Sequence, residues 1–557
     1  MPGSVPSPSD VQATFAATLF DEWIRSGLRD VVLGPGSRST PLALAAGDRP
    51  ELSLHVRIDE RSGAFFALGR ALASARPVAV VVTSGTAAAE LHAAICEADA
   101  AGVPLLILTA DRPPELHGVG APQTIDQRHL YGGAVRCYEE PGVARLDAAS
   151  SWRGLANRLW RAAQGGPNRP GPVHLNAAFV EPLLGVPLDL PPGRAGGVAW
   201  RSSSERELTA ASLDVGGARV LGVVGPGVDA SVVATCRDLD WVVVGDATAQ
   251  GTLAYFDPLL RDEEFARAHR PNLVVRMGGL PASKVLATRL REWDVPVVAL
   301  TGAGEVADPD GVVSRSIPGF PRADSASMRA DSKYARDWIA ASQSVGAYLR
   351  SLESDDDELN EPMVARVLVD VSGENDVPLV VGSSMPVRDV EWWAGARRSA
   401  TYANRGANGI DGVVSTALGV SAGAKGIALV GDLTLLHDVS GLVDALGSAE
   451  GTCVLVVNDN QGGGIFSFLP QSGALSAERF EMLFATPRPH DLEAIARAFG
   501  HVACSVTTRS ELRTAVEKGL TEPGLSLVVA RVPSRARNVE IHERMVESLA
   551  NRRGASR

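Results

Sequence analysis

Two loops in the last third of the chain carry oxygen-rich side chains placed to hold a divalent cation. Gly431-Asp432-Leu433 follows the apolar run Ile427-Ala428-Leu429-Val430, and Asn458-Asp459-Asn460-Gln461-Gly462-Gly463-Gly464 follows Val454-Leu455-Val456-Val457. A hard ion such as Mg2+ wants octahedral oxygen ligation and commonly keeps phosphate oxygens in its shell. A carboxylate from one strand end, a side-chain oxygen from the next, a backbone carbonyl and two phosphate oxygens would meet that need. The glycines let backbone approach closely. Either half alone is as well explained by a helix cap or a surface turn. Both together, each after an apolar strand, point to a metal and diphosphate site. Asn458, Asp459 and Asn460 are rival second ligands.

A second set of residues suits proton and anion chemistry. Asp59-Glu60 precedes a helix expected from near Ser62, and Ala64-Phe65-Phe66-Ala67-Leu68 gives Glu60 an apolar setting. Burial raises a carboxyl's pKa and equips it to hold or pass a proton. The plainer alternative is that Asp59 and Glu60 only complement a helix N-terminus. Thr83-Ser84-Gly85-Thr86 follows an apolar run and opens a helix. Arg38, Arg112, Arg388 and Arg405 all sit in loops after expected strands. Arginine is the side chain for bidentate carboxylate recognition. Singly, each could pair with a neighbouring acid such as Asp389 or Asp411. Together, they describe a local anion site.

The elements that must position these loops repeat one plan. Asp30–Leu33, Val78–Val82 and residues 105–108 are short runs apolar on both faces, the pattern of strands buried between helix layers. Helices are expected over 62–75 and 87–101. A Pro/Gly-rich stretch, 181–197, reads as a linker. A second block has expected strands at 219–224, 241–244, 273–275 and 295–298. An acidic run, 353–361, reads as a solvated linker or helix start. The third block has expected strands at 377–381, 427–430, 453–457 and 525–529. Alternating strands and helices imply parallel, doubly wound sheets, whose ligands bind at the carboxyl ends of the strands. At about 150 residues per domain, 557 residues imply three or four domains.

Composition excludes several classes. The chain has 53 Lys and Arg against 65 Asp and Glu, a formal net charge of −12. That argues against a broad nucleic-acid or anionic-membrane surface. No run of about 18 apolar residues offers a transmembrane helix, and residues 1–10 lack a signal-peptide pattern. The five cysteines, Cys96, Cys137, Cys236, Cys453 and Cys504, form no CxxC, which suits a reducing cytoplasm and gives no zinc or disulfide framework.

Several separate loops agree with one family. They are Gly34-Pro35-Gly36-Ser37-Arg38-Ser39-Thr40-Pro41-Leu42, Leu108-Thr109-Ala110-Asp111-Arg112-Pro113-Pro114, Gly120-Ala121-Pro122-Gln123-Thr124-Ile125-Asp126-Gln127, Ser384-Met385-Pro386-Val387-Arg388-Asp389, Asn404-Arg405-Gly406-Ala407-Asn408-Gly409-Ile410-Asp411-Gly412 and Gly464-Ile465-Phe466-Ser467-Phe468-Leu469-Pro470. Over about residues 11–535 the chain resembles the 2-succinyl-5-enolpyruvyl-6-hydroxy-3-cyclohexene-1-carboxylate synthases of menaquinone biosynthesis, within the thiamin-diphosphate-dependent enzymes. The resemblance implies an α/β fold of three doubly wound parallel-sheet domains, of the pyruvate-decarboxylase-like architecture. A pyrimidine-binding domain would span 11–185, a central domain 198–350 and a diphosphate-binding domain 360–550.

The resemblance also implies roles. Glu60 would activate the cofactor's aminopyrimidine. Thr83, Ser84, Gly85, Gly431, Asp432, Leu433, Ile465, Phe466 and Leu469 would contact the cofactor, with Ile410 as its apolar wedge. Asp432, Asp459 and the carbonyl of Gln461 would hold Mg2+ or Mn2+. Leu433 stands where the family usually has glycine, and Asp459 where it usually has asparagine. Ser37, Arg38, Arg112, Gln123, Lys284, Ser384, Arg388 and Arg405 would meet substrate or intermediate, with Gln123, Arg388 and Arg405 nearest the chemistry. No histidine falls in these motifs. The implied reaction decarboxylates 2-oxoglutarate and adds the resulting succinic-semialdehyde carbanion to isochorismate in a 1,4-addition, in a homodimer or dimer of dimers with active sites at the subunit interface. An acetolactate-synthase-like carboligase is the nearer alternative. A nucleotide-binding protein is the distant one, from the loop Gly225-Pro226-Gly227 after 219–224.

Overall fold

The computed structural model describes residues 6–165, 169–201, 210–302, 307–324, 326–355, 357–445 and 450–555. Every strand pairing within its three sheets is parallel. The first sheet is built from β1 (Asp30–Leu33), β2 (Ser53–Val56), β3 (Val78–Val82), β4 (Leu105–Asp111), β5 (Tyr138–Glu139) and β6 (Val173–Ala178), in the order β2-β1-β3-β4-β6-β5. The second has β7 (Val220–Val224), β8 (Val242–Gly245), β9 (Leu273–Met277), β10 (Val297–Thr301) and β11 (Arg315–Pro318), ordered β11-β10-β9-β7-β8. The third has β12 (Leu379–Val381), β13 (Thr401–Tyr402), β14 (Lys425–Gly431), β15 (Thr452–Asp459), β16 (Val502–Val506) and β17 (Gly524–Arg531), ordered β13-β12-β14-β15-β17-β16. The first and third sheets thus share one topology strand for strand, and the second follows it as far as its fifth strand. Each reverses order beside its first strand, and that reversal is where a doubly wound sheet opens a crevice for ligand.

The strands form where apolar, β-branched runs can be covered on both faces. β3, β7 and the eight residues of β15 are buried throughout. The strands the sequence hides are β2, β5, β11, β13 and β16, edge or outer strands that are short or partly exposed, and β6, whose His174 and Asn176 break the apolar pattern.

The chain forms two compact units, the second and third sheets lying in the same one. One unit comprises 1–206 together with 404–422 and 438–445; the other comprises 207–403, 423–437 and 446–557. In the first unit, the helix Val413–Ser421 packs on the helix Glu60–Ser74. Glycines make that contact close. A Cβ on Gly69 would fall 2.0 Å from the Thr416 carbonyl oxygen, and one on Gly419 would fall 2.1 Å from that of Phe66. Segment 404–422, which the sequence places in the third block, therefore belongs physically with the first sheet.

Three local readings also need correction. The helix expected from near Ser62 begins at Glu60, because Asp59 caps it by accepting the Ser62 N–H at 3.0 Å. The helix expected over 87–101 is two helices, Thr86–Glu90 and His92–Ala101, meeting at Leu91. The acidic run 353–361 is not wholly solvated: Glu361 opens the helix Glu361–Asn375 and is 1% exposed. No helix among the described residues is long and apolar enough to cross a membrane.

Candidate active site

In the first unit the predicted residues gather at the carboxyl ends of β1, β3 and β4. Glu60 is half-buried, its side chain beside Gly34 and Val82, so that a Cβ on Gly34 would lie 3.1 Å from Glu60 Cγ and 3.3 Å from Val82 Cγ1. Gly36 packs so tightly on Thr83 that a Cβ there would come within 2.3 Å of the threonine side chain. The two loops flanking the reversal in strand order therefore touch, and Glu60 lies at their base.

Ser84 ties the next loops together. It is buried, its hydroxyl accepts from Arg112 Nη1 at 2.6 Å, and it donates to the Gln123 carbonyl at 3.2 Å. Gln123 returns a bond from Nε2 to the Ser84 carbonyl at 3.1 Å, from a backbone at φ +56°. Gly85, at φ +89°, gives its N–H to Gln127 Oε1 at 2.8 Å. Gln127 is itself fully buried and donates to Ala110 and Asn176. Arg38 is 8% exposed, donates to the Phe179 carbonyl at 3.0 Å and pairs with Glu181 at 3.1 Å. Burial, and then the neighbouring Arg112 guanidinium, lower the Arg38 pKa. Two guanidiniums held near each other, one largely desolvated, make a site that gains from a bound anion. Ser37 lies exposed at its edge.

In the second unit the third sheet brings its own set to the ends of β12, β14 and β15. Ser384 stands at φ +76° before the helix Met385–Trp393, and its carbonyl accepts from Arg388 at 2.5 Å. A non-glycine residue held in that region marks a constrained, often functional, backbone. The helix is anchored from behind. Trp393 Nε1 donates to His542 Nδ1 at 2.9 Å, and His542 Nε2 lies 3.1 Å from the fully buried Asp389, without the alignment of a hydrogen bond.

Asp432 begins the helix Asp432–His437 directly after β14. It accepts the Leu433 N–H on one oxygen and the Gly462 N–H on the other, both at 2.7 Å. Burial pushes its carboxyl up to about 6 against those bonds, and the nearby Asp459 adds to the rise. Asp459 pairs with Arg531, and Arg535 reaches the Gln461 carbonyl. Asn460 donates to Glu361 at 2.8 Å. Ile465 and Phe466 lie in the short helix Gly464–Phe468, with Leu469 next along the chain.

Comparison with known proteins decides the family. Residues 13–130 match the family model described as "Thiamine pyrophosphate enzyme, N-terminal TPP binding domain", and residues 389–530 match its "C-terminal TPP binding domain". Relatives from Myxococcus xanthus, Saccharopolyspora erythraea and Thermobifida fusca are 37%, 38% and 39% identical over 98%, 97% and 96% of this chain and 98% of each of their own. All three are named 2-succinyl-5-enolpyruvyl-6-hydroxy-3-cyclohexene-1-carboxylate synthase. The chain belongs to that synthase family.

As a synthase of this family it is a thiamin-diphosphate-dependent transferase with thiamin-diphosphate-binding domains. Its own atoms suit the cofactor's polar end. Ser383 Oγ, Asn458 Oδ1 and Nδ2, and Asn460 Oδ1 are buried polar atoms without a hydrogen-bond partner in the structure. The oxygens among them, with the carboxylates of Asp432 and Asp459, place hard donors at the strand ends where the sheet order reverses. No cluster of three His, Cys, Asp or Glu suited to a metal occurs among the described residues. A cation here would therefore need amide, carbonyl and phosphate oxygens beside the carboxylates.

The remaining predicted residues are dispersed. Lys284 is exposed at the start of the helix Lys284–Trp293. Arg405 and Ile410 are half-buried in the first unit. The loop Gly225-Pro226-Gly227 is closed by backbone contact: a Cβ on Gly225 would lie 1.9 Å from the Gly279 carbonyl oxygen, and Gly279 N–H bonds to Pro226 at 3.1 Å. Sequence reasoning gave no role to Gln127, Glu97 or Asp438, whose value lies in what they hold. A buried amide or carboxylate that pins a loop has no spacing signature.

Proposed function

We propose that the protein makes 2-succinyl-5-enolpyruvyl-6-hydroxy-3-cyclohexene-1-carboxylate and CO2 from 2-oxoglutarate and isochorismate, in menaquinone biosynthesis. Thiamin diphosphate, when bound, supplies the electron sink for decarboxylation and the carbon nucleophile for the 1,4-addition. Glu60 is the carboxyl that would meet the aminopyrimidine N1′ and hold a proton there. Asp432, Asp459 and the Gln461 carbonyl would hold Mg2+ or Mn2+ against the diphosphate, with Thr83, Ser84, Gly85, Gly431 and Leu433 as cofactor contacts. Ile410, Ile465, Phe466 and Leu469 would wall the thiazolium side and exclude water.

The protein's remaining task is to orient and neutralise two multiply anionic substrates. Arg38 and Arg112 would grip carboxylates, with Ser37, Gln123 and Ser384 as polar partners. Arg388 and Arg405 would bring positive charge to the reacting end, and Lys284 would add a further cation. The observation that carries this reading is the Arg38–Arg112 pair with Ser84 and Gln123: a small neutral acceptor would gain nothing from two neighbouring cations, one of them largely desolvated.

We infer, from the resemblance to thiamin-diphosphate-dependent enzymes, a homodimer or dimer of dimers with active sites at the subunit interface. The five free cysteines support a cytoplasmic enzyme. The test is CO2 release from 2-oxoglutarate with thiamin diphosphate and Mg2+, with and without isochorismate. Release that depends on both substrates supports the reading. Turnover of pyruvate in preference to 2-oxoglutarate would replace it.

A further inference from the structure

The loop that carries Arg405 is held by a carboxylate from the first sheet's helical layer. Glu97, on the helix His92–Ala101, is 3% exposed. One of its oxygens accepts the Gly406 N–H at 2.7 Å, and the other accepts the Ala407 N–H at 2.6 Å. Burial raises the Glu97 pKa, and the backbone N–H groups of Gly406, Ala407 and Asn408 oppose that rise. Consecutive backbone N–H groups turned onto one buried carboxylate form an anion nest, with the protein's own side chain as its guest. The approach is close enough to require glycine at 406. A Cβ there would fall 2.6 Å from both the Glu97 carbonyl oxygen and the Ala101 nitrogen.

The far end of the same segment is fixed separately. Asp438, also fully buried, accepts the Ser415 N–H at 2.7 Å, while Gly412, at φ +63°, lies so near Phe65 that a Cβ would meet its ring at 1.9 Å. Residues 405–411 thus span two anchors, one ionic and one packed. Arg405 is adjacent to the ionic anchor, and Ile410 lies between the two. Within the loop, Arg405 bonds to the Asn408 side chain, so the nest sets the backbone on which that guanidinium is aimed.

We propose that Glu97 is a positioning residue of the synthase: its carboxylate fixes the backbone of residues 406–408 and thereby the placement of Arg405 toward the carboxylate-bearing substrate. The inference rests on the reading of Arg405 as a substrate contact. Glu97 touches no reacting atom. It works because a guanidinium misplaced by about 1 Å can cost on the order of 10²-fold in rate.

The experiment is a double-mutant cycle on the holoenzyme, paired with amide hydrogen exchange. Glu97→Ala should lower kcat/KM by about 10²-fold, and Glu97→Gln, which keeps one acceptor, by less. Once Arg405→Ala has been made, adding Glu97→Ala should change kcat/KM by less than about twofold, because the two residues act as a unit. Exchange at 406–408 should accelerate in Glu97→Ala while the β3 and β4 amides stay protected. If Glu97→Ala does not fold, Gly406→Ala disturbs the same contact from the loop side and should show the same non-additivity with Arg405. Multiplicative losses, wild-type kinetics in Glu97→Ala, or unchanged exchange at 406–408 would overturn the inference. If the wild type forms no product, the functional reading fails instead, and the exchange measurement alone decides whether Glu97 holds the loop.

Discussion

Arg112 donates to the Ser84 hydroxyl at 2.6 Å, joining the loop after β4 to the loop after β3. Arg38 approaches from the loop after β1, close enough for the two guanidiniums to repel. Glu181 already offsets part of it by pairing with Arg38, and a bound anion would offset more. Arg112→Ala should therefore raise KM for the carboxylate substrates, with kcat/KM falling about 10²-fold, in steady-state kinetics. Arg112→Lys should rescue little, because a point charge does not replace a bidentate fork. An unchanged KM would remove Arg112 from the substrate site.

Glu60→Gln keeps the size of the side chain and removes its acidity. The expected outcome is thiamin diphosphate binding within a few-fold of wild type by calorimetry, with kcat reduced about 10²–10⁴-fold. Retained turnover would show that another group handles the aminopyrimidine proton.

Asp432 holds the backbone of residue 462 and is a proposed ligand of the cation. Asp432→Ala should weaken thiamin diphosphate binding in the presence of Mg2+ at least tenfold, read by calorimetry. Chelation of divalent ions should abolish activity in the wild type, and added Mg2+ or Mn2+ should restore it. Activity that survives exhaustive chelation would contradict a metal-held diphosphate.

Asp438 gives a pH dependence with a definite sign. Burial raises its carboxyl to about 6, so the folded chain holds this proton more tightly than the unfolded chain does. Unfolding releases it between about pH 4 and 6, and the stability it contributes is greatest below about pH 4 and lost as pH rises through 6. The ceiling is about 3 kcal/mol for a shift of this size. Asp438→Asn should flatten that part of the stability–pH curve in denaturant titrations. An identical slope in the variant would contradict the assignment.

The helix Val413–Ser421 rests on Gly69 at backbone distance. Gly69→Ala places a methyl where the Thr416 carbonyl now sits, and should cost about 1–3 kcal/mol or more, lowering Tm in calorimetry. A neutral effect would mean that the two helices separate at little cost.

Much of this architecture is visible in the sequence because burial on both faces of a parallel strand leaves an unbroken apolar run, as in Val78–Val82 and residues 454–457. The hidden parts have physical reasons. Tyr138–Glu139 and Thr401–Tyr402 are two-residue strands at sheet edges, too short to show a period. Segment 404–422 is contiguous with the third block yet packs with the first, a choice made by Gly69 and Gly419 and not by its neighbours in the chain. Separate loops bearing Arg38, Arg112 and Gln123 can be picked out by residue type, but the meeting of Arg112 and Gln123 at Ser84 is a tertiary fact. Glu97 on an alanine-rich helix looks like any solvated glutamate until the loop that covers it is seen.

The central claim is that this chain joins a four-carbon unit from 2-oxoglutarate to isochorismate. The most direct measurement is mass spectrometry of the reaction with uniformly 13C-labelled 2-oxoglutarate, unlabelled isochorismate, thiamin diphosphate and Mg2+. The account predicts an adduct heavier than isochorismate by 2-oxoglutarate less CO2, carrying all the label except the carbon lost as CO2, and formed about 10²–10⁴-fold more slowly with Glu60→Gln. Cofactor shown to be bound, with no labelled adduct formed, would contradict it.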